Sequence, residues 1–315
     1  MTQTSLGTAL VTGASSGIGA VYADRLAKRG YDLILVARNE ERLKSLSTRL
    51  ISETGRSVKV LPADLGAKAA LAKIEAVLRD DARIVMLVNN AGTASLAPLL
   101  QADVEKMEEM IALNVTALTR LTYAAAPAFV KRGVGTIINI ASTVAIGPER
   151  LNGVYGATKA FVLAFTHSLQ HELADKGLRI QAVLPAATAT DIWEKGGLHY
   201  SKLPAGVVMS TEDMVDAALA GLDQGELVTI PPLQDGDEWA RFEAARRALS
   251  QRFGNSVPAP RYRTGGPALR RRATIAQQSA PLSVATLRRT TTRKPIPVRP
   301  FRTLPRSSLR HANCL

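Results

Sequence analysis

The sequence predicts an α/β fold: one doubly wound, mostly parallel sheet of about seven strands with helices on both faces. Short runs of Val, Ile and Leu recur along the chain, and they are apolar at most positions rather than alternating. Strands covered on both faces have this pattern. Helical stretches separate these runs, and strands that alternate with helices form βαβ units with right-handed crossovers.

Seven candidate strands follow in chain order: TALVT (8–12), DLILVA (32–37), VKVLPA (58–63), IVMLVN (84–89), GTIINIA (135–141), RIQAVLP (179–185) and ELVTIP (226–231). The helices between them carry boundary residues. These are Gly30 ending 17–30, Asn39 and Gly55 bounding 39–55, and Ser210 with Asp213 as a capping box for 210–225. A last amphipathic helix contains Trp239.

The charge of the chain is concentrated at its C-terminal end. Thirteen of the 40 Lys and Arg residues lie from Arg261 onward, where no Asp or Glu occurs, so the preceding 260 residues carry no net charge. The Arg-, Pro-, Ser- and Thr-rich composition of this end predicts disorder. We therefore predict a single domain over 1–262 and a basic tail over 263–315.

Two interpretations of the tail stay open: a basic appendage for anionic partners, or an out-of-frame or read-through product. Base-stacking aromatic residues are nearly absent from it, which argues against nucleic-acid binding. The single cysteine, Cys314, also lies there. Because no signal peptide or apolar run of about 20 residues is present, we expect a cytoplasmic protein without a membrane span. His167 and His171 are four apart but lack a third ligand, so we expect no metal site.

A glycine-rich segment, VTGASSGIGA (11–20), follows the first strand and opens the first helix. Small residues allow a tight turn and close approach to a pyrophosphate, and the helix N-terminus presents free N–H groups to it. An ordinary glycine turn is the alternative, but the position within the first βαβ unit favours a dinucleotide-binding, Rossmann-type site. The predicted cofactor contacts in this loop are Gly13, Ser15, Ser16, Gly17, Ile18 and Gly19.

The spacing Thr12-Gly13-x-x-x-Gly17-x-Gly19 resembles the short-chain dehydrogenase/reductase family rather than the common G-x-G-x-x-G fingerprint. The resemblance implies further cofactor contacts after the third, fourth and sixth strands. These are Asp64 and Leu65 at the adenine, Asn90, Ala91 and Gly92 in NNAG, and Pro185, Thr188 and Thr190 at the nicotinamide. Ala186 departs from the family pattern, which has glycine at this position.

The end of the second strand indicates which cofactor is used. An acidic residue there would bind the ribose 2′-hydroxyl and repel a 2′-phosphate. Ala37 occupies that position and Arg38 follows, and a guanidinium matches phosphate in charge and geometry. In similar family members this pattern accompanies NADP(H), whereas the alternative is a surface arginine at a helix start.

Tyr155 and Lys159 in YGATK lie four apart, on one face of a helix. A nearby ammonium favours the phenolate, so we expect the pKa of Tyr155 to lie below its usual value near 10. Ser142 follows the fifth strand and is placed to donate to a carbonyl oxygen. The resemblance adds Asn114 as the anchor of a proton relay and gives Lys159 a second contact, the nicotinamide ribose.

The resemblance covers nearly all of residues 6–262 and implies reversible hydride transfer between NADP(H) and a carbonyl or alcohol substrate, in a homodimer or homotetramer. Two alternatives remain: a non-catalytic NADP-binding sensor on the same fold, and nucleic-acid binding through the tail. The segment 191–208 lies where the family carries its substrate lid. Four residues there are equally candidates for an apolar pocket and for packing: Trp193, Leu198, Tyr200 and Leu203.

Overall fold

The computed structural model describes residues 5–151, 153–192, 200–204 and 206–262. It contains a seven-stranded parallel sheet with helices on both faces, which confirms the predicted fold class. The strands are β1 (Thr8–Thr12), β2 (Asp32–Ala37), β3 (Val58–Pro62), β4 (Ile84–Asn89), β5 (Gly135–Ile140), β6 (Leu178–Val183) and β7 (Val228–Thr229).

The strand order is β3-β2-β1-β4-β5-β6-β7, so the chain winds outward in both directions from β1 and β4. The connections on the two sides of this pair leave in opposite directions, which opens a crevice beyond the carboxyl ends of the strands. All pairings are parallel, and β1 lies between β2 and β4. The topology therefore predicts a ligand site at the β1–β4 switch point.

The helices among the described residues are α1 (Gly17–Lys28), α2 (Glu40–Thr54), α3 (Lys68–Asp80), α4 (Val104–Ile111), α5 (Leu118–Arg132), α6 (Gly153–Glu172), α7 (Thr211–Asp223) and α8 (Gly236–Ser250). Asn39 caps α2 through a bond from the Arg42 N–H (2.9 Å), and Gly55 ends it at φ 66°. Ser210 accepts from the Asp213 N–H (2.9 Å) at the start of α7, as its placement predicts.

Several element boundaries differ from the sequence predictions by one or two residues, among them the end of α1 and both ends of β7. Helix α1 ends at Lys28 with Arg29 as its C-cap, so Gly30 lies one residue beyond the cap, at φ 100°. Strand β7 is much shorter than predicted, because only Val228 and Thr229 pair with β6.

Apolar side chains from both faces of the sheet form the core. One face packs on α1, α2 and α7 through residues such as Tyr22, Leu43 and Met214. The other packs on α3 and α5 through Ile74 and Phe129, among others. Full burial of such a side chain stabilises the fold by roughly 1.5–3 kcal/mol, so the sheet is a rigid support for residues at its carboxyl edge.

A chain of polar side chains crosses this apolar interior between β4, β5, α5 and α6. The Asn89 amide donates to Asn139 Oδ1 (2.9 Å) and to Thr122 Oγ1 (3.1 Å), and the Asn139 amide donates to Thr166 Oγ1 (3.0 Å). Each of the four residues is at most 3% exposed. Asn89 and Asn139 are register partners, so these bonds join neighbouring strands at matched positions.

The chain divides into a unit over Met1–Trp239, which holds the sheet, and a second over Ala240–Leu315, described as far as residue 262. In the second unit Glu243 accepts from Arg246 within α8 (2.8 Å). The predicted tail lies outside the described residues, and the boundary near 262 stays a prediction. Within the described ranges, no helix is long and apolar enough to cross a membrane.

Candidate active site

A cavity of about 680 Å³ opens at the carboxyl ends of the strands and runs from the loop after β1 to the loops after β5 and β6. Its walls include Arg38 after β2, Asn90 after β4 and Ser142 after β5. The cavity therefore lies at the switch point that the strand order predicts.

The loop between β1 and α1 is shaped by glycine. Gly13 and Gly17 have φ values of 66° and 53°, which glycine adopts without strain. A Cβ on Gly19 would collide with the Gly13 carbonyl oxygen and lie 2.5 Å from Asn90 Nδ2. Gly19 thus stands behind the loop rather than on the cavity wall, and it lets α1 begin directly against the turn.

Thr12 fastens this loop to the end of β4. Its hydroxyl donates to the Val88 carbonyl (3.1 Å) and accepts from the N–H groups of Asn90 (2.9 Å) and Ala91 (3.0 Å). The Asn90 amide returns a bond to the Thr12 carbonyl (2.9 Å). The two sides of the crevice are therefore joined at its floor, and the residues at the start of α1, Gly17 and Ile18, line the cavity.

Basic side chains lie at the far end of the cavity, beside the end of β2. Arg38 lines it, and among the described residues no carboxylate pairs with Arg38. Arg42, in the first turn of α2, lines it as well and was not predicted. Asp64 and Leu65 form the adjoining wall, where Asp64 Oδ1 accepts from the Gly66 N–H (3.0 Å). This end of the cavity suits a negatively charged ligand group.

Ser142 and Tyr155 form a hydrogen-bonded pair at the other end. Ser142 Oγ also donates to the Pro185 carbonyl (3.2 Å), which ties the ends of β5 and β6 together. Burial raises the pKa of the Tyr155 phenol, and the bond with Ser142 only partly opposes this rise. The expectation of a pKa lowered by Lys159 is therefore wrong in direction, because desolvation outweighs the lowering by Ser142 and the shift includes no contribution from the lysine.

Lys159 lies one turn after Tyr155 on α6 and is buried. Its Nζ donates to the Ile140 carbonyl (2.9 Å) and stands 5.9 Å from the centre of the Tyr155 ring. Burial lowers the pKa of Lys159 to about 8. The ammonium is thus held near the phenol in surroundings that penalise its charge.

Asn114 lies in a π-helical turn, Ala112–Ala117, between α4 and α5. Such turns occur often at functional sites. The Asn114 side chain bonds both backbone groups of Thr93 (2.9 Å each) and donates to Thr158 Oγ1 (3.1 Å), which in turn donates to the Tyr155 carbonyl (2.8 Å). Asn114 is not on the cavity wall but stands directly behind Gly92.

The loop after β6 closes the cavity with Pro185, Thr188 and Thr190. Backbone hydrogen bonds of 2.9–3.0 Å join Ala187 and Ala189 to Met209, so the two ends of the intervening segment lie side by side. Trp193, Leu198 and the side chain of Tyr200 lie outside what the structure describes. Leu203 is described but does not line the cavity.

The structure thus brings together on one cavity wall all the predicted site residues except Gly19 and Asn114. Sequence reasoning missed Arg42, Asp191 and the apolar residues Leu96, Val144, Leu151 and Val207, which also line it. A second arginine one helical turn after Arg38 was the only available signal for any of these. His167, weighed as a metal ligand, stacks on the ring of Trp239 instead (6.3 Å between centroids).

The fold and the crevice are those of a nicotinamide dinucleotide-binding enzyme. The short chain dehydrogenase family model matches residues 7–200 of this chain. The chain therefore belongs to the short-chain dehydrogenase/reductase family and is an oxidoreductase.

Solved structures of similar proteins support this assignment. A short-chain dehydrogenase from Sphingobium yanoikuyae, in complex with NADPH, is 50% identical with a TM-score of 0.80, covering 82% of this chain and all of that one. A bulky-bulky ketone specific alcohol dehydrogenase from Comamonas testosteroni is 44% identical with a TM-score of 0.76, covering 82% and 99%.

Curated relatives show the same family at lower identity. An uncharacterized oxidoreductase of Staphylococcus epidermidis is 33% identical over 70% of this chain and 93% of its own length. A very-long-chain 3-oxoacyl-CoA reductase of Danio rerio is 37% identical over 61% and 63%, respectively.

Proposed function

We propose that this protein is an NADP(H)-dependent oxidoreductase that interconverts ketones and secondary alcohols, with Tyr155 as general acid and base. One observation carries the proposal. The hydrogen-bonded pair of Ser142 and Tyr155, with Lys159 one helical turn away, lines the same cavity as the glycine loop of β1 and α1. A phosphate-binding loop and an acid/base group in one cavity suit hydride transfer to a carbonyl.

The cavity fits a dinucleotide. Its phosphate loop has no side chain at Gly13 or Gly17, and both residues have positive φ, so a pyrophosphate can approach the N–H groups at the start of α1. Arg38, Asp64 and Leu65 would hold the adenosine end, whereas Pro185, Thr188 and Thr190 would hold the nicotinamide end. NADPH, when bound, supplies the hydride that reduces the carbonyl carbon.

The residues of the chain manage the proton. When the substrate binds, the Ser142 hydroxyl turns from the Pro185 carbonyl, donates a hydrogen bond to the substrate's carbonyl oxygen and stabilises the negative charge that develops there. Tyr155 gives its phenolic proton to that oxygen, and the alcohol results. The positive charge of Lys159 stabilises the phenolate that remains on Tyr155. Asn114 positions Tyr155, because Asn114 donates to the Thr158 hydroxyl and this hydroxyl donates to the Tyr155 carbonyl.

The preference for NADP(H) over NAD(H) rests on Arg38. It follows β2, where the adenosine ribose lies in this fold, and it has no carboxylate partner among the described residues. A free guanidinium there would attract a 2′-phosphate. The NADPH complex of the Sphingobium relative is consistent with this preference.

The substrate we propose is a ketone with bulky, uncharged, apolar groups. Ala94, Val144 and Leu151 line the cavity and also pack in the cluster around Tyr155. Apart from Lys159, the charged side chains of the described cavity wall stand at its adenosine end, so this wall offers no cation for a coenzyme A phosphate. The Comamonas relative, which is specific for bulky ketones, supports this choice over an acyl thioester.

We also propose a homo-oligomer formed through α5 and α6. Tyr123 on α5 is 68% exposed and Phe161 on α6 is 39% exposed, and both stack on Phe165. An exposed aromatic row of this kind is typical of a protein–protein contact. Multi-angle light scattering should give a dimeric or tetrameric mass, and a monomer at micromolar concentration would contradict the proposal.

The central test is Tyr155→Phe, which removes one oxygen and keeps the ring. We expect turnover with a bulky aryl ketone to fall by about a hundredfold to ten-thousandfold. NADPH binding, followed by fluorescence titration, should change little because the ring still fills its place. Near-normal turnover would overturn the role of Tyr155. A wild-type preference for a 3-oxoacyl coenzyme A over every ketone would overturn the substrate class.

A further inference from the structure

Two charged side chains meet across the adenosine half of the cavity. Arg42 Nη1 on α2 donates to Asp191 Oδ2 at 3.3 Å, and both residues line the cavity. They are 149 positions apart in the sequence, so the contact bridges two walls rather than one local turn. Both side chains are about half exposed, at 58% and 48%. Such pairs are weak, and a stronger anion displaces the carboxylate at little cost.

Arg42 belongs to the part of α2 that faces the adenosine end. Its N–H is bonded to the N-cap residue Asn39, and both residues line the cavity together with Arg38. Arg38 and Arg42 thus approach the same space, one from the end of β2 and one from the first turn of the next helix. Two guanidinium groups so placed can share the oxygens of one phosphate.

Asp191 approaches from the opposite wall. It follows Thr190, whose Cγ2 would lie 3.1 Å from a Cβ built on Gly17, so this segment passes directly over the phosphate loop. A carboxylate here faces the region that receives the phosphates of a dinucleotide. The negative charges of this carboxylate and of a bound phosphate would repel each other. Arg42 offsets the charge of Asp191 in this structure.

We propose that Arg42 is a second binding residue for the 2′-phosphate of NADP(H), and that Asp191 is an internal competitor which holds Arg42 until the cofactor binds. The inference rests on the proposed function, because it requires the 2′-phosphate end of the cofactor to lie beside Arg38. A phosphate monoester carries nearly two negative charges at neutral pH against one on Asp191, so it takes over the guanidinium. NAD(H) lacks this group and leaves the pair intact.

The test is calorimetric binding of adenosine 2′,5′-bisphosphate and of adenosine 5′-monophosphate to the full chain at physiological salt. Arg42→Gln should weaken bisphosphate binding by about tenfold or more and weaken monophosphate binding much less, because only the bisphosphate carries the 2′-phosphate. Asp191→Asn should strengthen bisphosphate binding by about two- to fivefold, the value of an exposed pair. In the Arg42→Gln/Asp191→Asn double variant this gain in bisphosphate binding should vanish, because the Arg42 guanidinium that Asp191 would hold is absent. Lys44→Gln is the matched control, because Lys44 lies two residues after Arg42 on α2, pairs with Glu40 (2.7 Å) and lies outside the cavity.

The outcomes separate this inference from the proposed function. If the wild-type chain binds the bisphosphate no better than the monophosphate, the NADP preference itself fails. If the wild type prefers the bisphosphate but Arg42→Gln keeps the full preference, or if Lys44→Gln loses as much, Arg42 is not a 2′-phosphate residue. If Arg42→Gln behaves as expected but Asp191→Asn gives no gain, Asp191 is not a competitor and that half of the inference is overturned.

Discussion

Replacing the buried Lys159 with methionine should make the protein more stable while abolishing its activity. Methionine is unbranched and of similar length, but it brings no charge into the interior. In the structure, burial lowers the pKa of Lys159 from 10.5 to about 8. One pKa unit corresponds to about 1.4 kcal/mol, so keeping this ammonium charged costs the folded chain about 3 kcal/mol near neutral pH. The substitution also removes the bond to the Ile140 carbonyl, worth about 1–2 kcal/mol. The net gain is about 1–2 kcal/mol.

The pH dependence identifies the cause of this gain. Below about pH 8 the lysine is protonated in both the folded and the unfolded chain, and the full cost applies. Between about 8 and 10.5 it is neutral when folded and still protonated when unfolded. The unfolded chain then binds more protons, so the stability of the wild type rises with pH. The variant lacks this rise, and its advantage should disappear by about pH 9.5.

Urea unfolding of both proteins, at about pH 7 and about pH 9.5, measures the difference in the free energy of unfolding. Lys44→Met serves as the control, since Lys44 is exposed on α2 and its removal relieves no burial cost. The reasoning would be refuted if Lys159→Met were no more stable than the wild type at neutral pH. A gain that stays constant across the two pH values would refute it equally, because it would then come from packing.

Two further substitutions test the cofactor half of the site. Arg38→Asp should raise the Michaelis constant for NADPH at least about tenfold more than that for NADH, and steady-state kinetics showing an unchanged ratio would contradict the role of Arg38. Gly19→Ala should destabilise the protein by about 1–3 kcal/mol and weaken cofactor binding, because the new Cβ meets the Gly13 carbonyl. Gly236→Ala, where a Cβ meets nothing within 4 Å, is the control in thermal unfolding, and equal losses in the two variants would argue against a special requirement at Gly19.

The central strands were predictable because burial on both faces leaves a local signature. The limits of β1, β2 and β4 agree with the apolar runs to the residue. The last strand was predicted over 226–231 from the same kind of run, yet only two of its residues pair with β6. It is an edge strand, and pairing on one side depends on how far the neighbouring strand extends, which composition does not encode.

The site divides in the same way. Tyr155 and Lys159 lie four residues apart on one helix, and Ser142 directly follows a strand, so the sequence alone indicates that the three side chains lie close together. Arg42 acquires its place from tertiary structure, through a partner 149 positions away. The direction of the Tyr155 pKa was also beyond the sequence, because it depends on how completely the phenol is buried. The sequence pattern identified which side chains come together but not how far they are buried from solvent.

The buried asparagines of β4 and β5 solve a problem of alignment that parallel sheets create. Strands that are apolar on both faces have no inside and outside, so sliding one past its neighbour would cost little hydrophobic burial. Asn89 and Asn139 fix the register of β4 and β5, because any shift of one strand along the other would break the hydrogen bond between two buried amides. Asn90 follows Asn89 and Ser142 lies three residues after Asn139, so this pairing also sets the spacing between the Asn90 and Ser142 sides of the cavity wall.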